Sequence, residues 1–63
     1  MINDTALSLL ENAKQTLTLM RDDSAKTAER ESDVSYFGYW KGRESAFDTA
    51  RLMIDNIIDV LRD

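Results

Sequence analysis

The run Phe47-Asp48-Thr49-Ala50-Arg51-Leu52-Met53-Ile54-Asp55-Asn56-Ile57-Ile58-Asp59-Val60-Leu61 decides the fold. Within it Phe47, Ala50, Ile54, Ile57 and Leu61 recur at alternating steps of three and four. That spacing places them on one stripe of a helix and is the heptad pattern of a helix-packing seam. Tyr36 and Trp40 carry the stripe toward the N-terminus. Tyr39, Ala46, Met53 and Val60, at steps of seven, form a second row beside it. The apolar face is thus wider than one partner helix covers, which predicts burial against more than one neighbour.

Upstream, a second periodic segment begins near Asn3 or Asp4, either of which can cap a helix. Ala6, Leu9, Leu10, Ala13, Leu17 and Met20 fall on one side of a helix, with Leu7 and Leu19 off the stripe. From Arg21 to Ser32 the chain is polar. Its Ala, Lys, Glu and Arg content favours continuing the helix to about Arg30 over a loop beginning near Arg21, because long structureless loops are uncommon in compact domains. The turn is then expected around 31–35, with Ser32, Asp33 and Ser35 as candidate caps for a second helix over about 35–62. A β reading fails: only the residues from Val34 to Trp40 have strand-like composition, and Gly38 interrupts them. The expected fold is all-α, a single domain over 1–63, an antiparallel two-helix hairpin that dimerises into a four-helix bundle.

Composition points the same way. A chain of 63 residues buries only about 60% of its unfolded surface and needs a staple. With no Cys there is no disulfide, and with no His the commonest metal ligand and general base are missing. Oligomerisation is the staple left, and homodimerisation through Phe47, Ala50, Met53, Ile54, Ile57, Val60 and Leu61 is expected. The absence of Pro leaves nothing to break a helix by ring sterics, and 43% hydrophobic content argues against disorder.

Eight basic against twelve acidic residues give a net charge of −4, which disfavours direct binding to nucleic acid or to anionic membranes. No apolar run reaches the length of a membrane span. Met1-Ile2-Asn3-Asp4 lacks the basic start of a signal peptide, so a cytoplasmic location is expected.

Three constellations invite a functional reading. Tyr36, Phe37, Tyr39 and Trp40 crowd the start of the second helix, around Gly38. They read first as a core plug facing the small residues late in helix 1. The alternative is a binding hot spot, with Phe37 and Tyr39 turned outward. Gly38 and Gly42 share a side with Ser45 and Thr49. Two helical glycines cost about 1 kcal/mol each relative to Ala, which suggests either close approach of another helix or tolerance near a helix start. They do not form a phosphate loop, having neither the Lys-Ser/Thr ending nor a preceding strand. Glu44, Asp48, Asp55, Asp59 and Asp63, interrupted by Arg51 and Arg62, make an acidic ridge opposite the apolar stripe. Asp22, Asp23, Glu29, Glu31 and Asp33 could extend it at the turn end. The plain reading is a solvated face with weak ion pairs, and the sharper one a phosphate mimic. None of these carboxylates has calcium-loop spacing, so neither metal nor cofactor is expected. No set of side chains amounts to a catalytic site: hydroxyls have no His or Cys to activate them, and two helices do not readily build a cleft.

Tyr39-Trp40-Lys41-Gly42-Arg43-Glu44-Ser45-Ala46-Phe47, running into the heptad that ends at Leu61, resembles the second helix of many small helical proteins of bacteriophages and mobile elements. They commonly show an aromatic, a nearby Gly, and a small then a large apolar residue before an amphipathic end. The resemblance covers the C-terminal helix. It implies a short phage product that binds a host protein, as inhibitors of host defence or of host nucleic-acid enzymes do. On this reading the protein is a non-enzymatic interaction module acting by steric occlusion. The alternatives are a DNA mimic acting through its acidic ridge and a purely structural assembly subunit.

Overall fold

The computed structural model describes residues 4–62. Two helices, α1 (Asp4–Arg30) and α2 (Val34–Arg62), are joined by a three-residue link and pack antiparallel along their length. The molecule is a rod of 50 × 14 × 10 Å. Among the described residues there is no strand, and no helix is long and apolar enough to cross a membrane. The polar stretch after Arg21 is helical, as its composition favours. The turn is tighter than 31–35, because α2 already starts at Val34.

Of the three candidate caps, Asp33 does the work. Its Oδ1 accepts a hydrogen bond from the Ser35 N–H at 2.8 Å, and its carbonyl accepts the Phe37 N–H that opens the helix. This satisfies donors that a helix start leaves orphaned. Glu31 closes α1 from the other side, its N–H reaching the Ala28 carbonyl while its carboxylate accepts the Asp33 N–H. Of the caps named for α1, Asn3 lies outside the described residues.

The seam between the helices differs from the stripe read in the sequence. On α1 it runs Leu7, Leu10, Lys14, Leu17, Arg21, Ser24, Ala28, and on α2 Trp40, Glu44, Phe47, Arg51, Ile54, Ile58, Leu61. All fourteen are buried or half-buried, and both rows keep the alternating steps of three and four. Leu7, expected off the stripe, belongs to the seam; Ala6, Leu9 and Met20, expected on it, are exposed. On α2, Ile58 is 2% exposed and Ile57 46%. The expected oligomer interface therefore divides. Phe47, Ile54 and Leu61 pack within the hairpin, while Met53, Ile57 and Val60 stay exposed and Ala50 half-exposed.

The seam is disguised because charged residues occupy it. Lys14 and Arg21 lay their apolar stems along the contact and carry their heads out to Asp55 (2.6 Å) and Asp48 (2.8 Å) on α2. The two ion pairs lie one heptad apart on both helices and fix the register. Among the described residues only Ser24, Ala28 and Ile58 are fully buried, so the hairpin has a thin seam in place of a core.

Candidate interaction surfaces

The two sides of the hairpin have opposite character. Residues one position C-terminal to each seam residue form one side of the rod, and those one position N-terminal form the other. In an antiparallel pair, the same rotation on both helices falls on the same side, so each side draws from both helices.

The C-terminal-shifted side, on which Leu52 is also exposed, is mostly polar and cross-linked by charge. Glu11 pairs with Arg62, Lys14 with Asp55, and Arg21 with Asp48, which also takes Arg51 at 3.0 Å. An open groove here is lined by Arg21, Asp22, Lys41, Glu44, Ser45 and Asp48. The acidic ridge of the sequence therefore does not stand free. Glu44 is a seam residue paired with Lys41, Asp48 and Asp55 are engaged across the hairpin, and Asp59 is exposed. Asp63 lies outside the described residues. Hydrogen bonds from Arg21 and then Arg51 hold the Asp48 carboxyl below the usual range, and one from Lys14 does the same for Asp55. Arg21 is raised in turn, chiefly by Asp48 and then by Asp22. Among the described residues, no three potential ligands gather where they could hold a metal.

The opposite side is apolar. It carries Leu9, Ala13, Thr16 and Met20 from α1, and Ala46, Ala50, Met53, Ile57 and Val60 from α2. Toward the free end of the hairpin, Ile57, Val60, Leu61 and Asn56 line an apolar groove. Going toward the turn, the first charges on these rows are Asp23 and Arg43.

The turn end forms a third surface. In the register set by the ion pairs, α1 ends level with about residue 39, so the first turn of α2 has no helix facing it. Tyr36, Phe37 and Tyr39 are accordingly 61, 43 and 54% exposed, and Val34 is more exposed still. The cluster is not a core plug: of its four members only Trp40 turns into the seam. Tyr36 joins the outward pair expected from the sequence and is more exposed than either. Tyr39 meets Trp40 edge to face at 5.1 Å. The Arg43 guanidinium lies 5.6, 5.5 and 5.1 Å from the rings of Tyr39, Trp40 and Phe47 and donates to the Tyr39 hydroxyl. Its Nε is buried without a hydrogen-bond partner, held against the ring faces by cation–π attraction. Asp33, Ser35, Tyr36 and Tyr39 line a shallow groove beside it. Arg43 was not singled out from the sequence, although its spacing of three or four from Tyr39, Trp40 and Phe47 carried the signal.

Gly38 and Gly42 do not serve close approach within the chain. Both are exposed on α2 away from α1, and a Cβ added at either meets nothing within 4 Å.

No family model matches the chain, and neither does any curated protein or solved structure.

Proposed function

We propose that the protein is a non-enzymatic interaction module that binds a host protein through its aromatic turn end and blocks it sterically, as a phage-encoded modulator would. The observation that carries this reading is the exposure of Tyr36, Phe37 and Tyr39 on a structured helix start, with Arg43 clamped over the adjoining rings. Tyr and Arg are among the residues that dominate binding hot spots. Here Arg43 braces Tyr39 through stacking and a hydrogen bond, so part of the ordering cost of binding is already met. The acidic-mimic reading has less support, because Glu44, Asp48 and Asp55 already have cationic partners in the hairpin.

Capture of a partner from host-cell cytoplasm, followed by titration of the purified pair, tests this reading. Combined Tyr36→Ala and Phe37→Ala substitution should weaken binding about 30-fold or more, since truncating a hot-spot aromatic costs about 2 kcal/mol. Asp59→Asn should change it by about fivefold at most, as exposed charges do. The reverse ranking, with binding that collapses as salt rises, would transfer the function to the acidic surface.

A further inference from the structure

We propose that the apolar side of the hairpin is covered by a second copy of this chain. The two copies are related by a two-fold axis parallel to the helices, so that α1 of each lies over α2 of the other. This surface is separate from the aromatic turn end and leaves it free.

The first argument is charge. Each copy carries a net charge of −4, so copies repel unless they meet through uncharged surface. From Leu9 to Met20 on the α1 row and from Ala46 to Val60 on the α2 row there is no charged residue. Among the described residues, the ion pairs of the hairpin lie in the seam or on the other side.

The second argument is shape. The register set by Lys14–Asp55 and Arg21–Asp48 brings Ala13 level with Ile57, Thr16 with Met53, and Met20 with Ala50. Each of these three layers holds one large and one small side chain, and the large one changes helix between the Met53 and Met20 layers; nearer the free end Leu9 lies level with Val60, and both are large. A two-fold parallel to the helices preserves the levels and exchanges α1 with α2. In these three layers each large side chain then lies over the small one of the other copy, Ile57 over Ala13, Met53 over Thr16 and Met20 over Ala50, while Leu9 meets Val60 at the free end. Large and small alternate around these three layers of the resulting four-helix bundle. A two-fold across the helices would instead stack α2 on α2, large rows together.

The third argument is area. The chain exposes 4748 Å², against about 4,100 Å² for a compact monomer of its mass. Taking ~160–200 Å² for a fully exposed side chain of each type, the exposed parts of Leu9, Met20, Met53, Ile57 and Val60 come to about 520 Å² per copy. Ala13, Thr16, Ala46 and Ala50 add to this, toward the ~600 Å² per partner at the lower end of specific, stable interfaces.

Two measurements on the full chain test the proposal. Light scattering coupled to size exclusion at micromolar concentration should give twice 7.2 kDa. A mass of 7.2 kDa with the helical spectrum intact would overturn the dimer. The second measurement holds even if variants of the face lose their fold. The chain has no Cys, so single cysteines report contacts cleanly. Copies carrying Ala13→Cys, mixed with copies carrying Ile57→Cys under oxidised glutathione, should form the mixed disulfide in excess over either homodimer. A product dominated by Ala13→Cys homodimers, or no cross-link above that of an outward control at Asn12→Cys, would overturn the arrangement.

Discussion

Ile57 and Ile58 are chemically identical neighbours in opposite surroundings, and truncating each in turn tests the register. Ile58 is 2% exposed, so Ile58→Ala removes three buried carbons. At ~0.8 kcal/mol per buried methylene this costs about 2.4 kcal/mol, and the cavity left behind adds to it, within the ~2–5 kcal/mol usual for such truncations. A rod two helices thick collapses easily around a void, so a value near 3 kcal/mol is expected. Ile57 is 46% exposed, so the hairpin itself accounts for only about 1.3 kcal/mol at that position, and whatever covers the apolar side adds the rest. A 63-residue protein holds roughly 3–9 kcal/mol in total, so Ile58→Ala should remove a third of it or more. The assay is urea denaturation followed by far-ultraviolet circular dichroism, all variants at one protein concentration, with Ile58→Val as an intermediate costing about 0.5–1.5 kcal/mol. An Ile58→Ala cost below about 1 kcal/mol would refute the seam as described.

Two further predictions concern the surface. Gly38→Ala and Gly42→Ala should each stabilise the protein by about 0.5–1 kcal/mol, because the added Cβ meets open space and glycine is the poorer helix former; destabilisation in thermal melts would mean that another backbone approaches there. Acid titration should show stability that is present above the ordinary carboxylate range and lost as pH falls through the depressed values of Asp48 and Asp55, since protonation releases Arg21, Arg51 and Lys14. The Asp48→Asn variant should lose less stability than wild type over the same interval, and an unchanged profile would show that the cross-helix pairs contribute nothing.

The two helices, their approximate limits and the absence of strands were legible because periodicity and composition agree along the chain. Facing was harder. Both helices carry two adjacent apolar rows, and on each the buried row is the one interrupted by charge: Lys14 and Arg21 on α1, Glu44 and Arg51 on α2. A count of apolar residues favours Ala6-Leu9-Ala13-Met20 and Ile57, whereas long amphipathic stems make the interrupted rows the better seam. Position was legible for Tyr39, Ala46, Met53 and Val60, whose seven-residue spacing marked the second face. The aromatic cluster was visible as a cluster but not as a surface. Its exposure depends on α1 ending level with residue 39, which follows from a link of only three residues and a register set by side chains 27 and 41 positions apart. The acidic ridge was legible as a row with ion pairs, but not its ties across the hairpin: Arg21 and Lys14, which hold Asp48 and Asp55, sit on the other helix.

The central claim is that the hairpin turns its charge-interrupted rows inward and leaves its uninterrupted apolar rows outside. Methyl nuclear Overhauser spectroscopy on protein labelled at Ile, Leu and Val tests it most directly, with isotope-filtered mixtures separating contacts within one chain from those between chains. Within one chain, the account predicts cross-peaks from the Ile58 methyls to the side chains of Lys14 and Thr18, residues that line the same groove, with none from Ile57 to Leu10 or Leu17. Intrachain cross-peaks from Ile57 to Leu10 and Leu17, with Ile58 facing solvent, would contradict it.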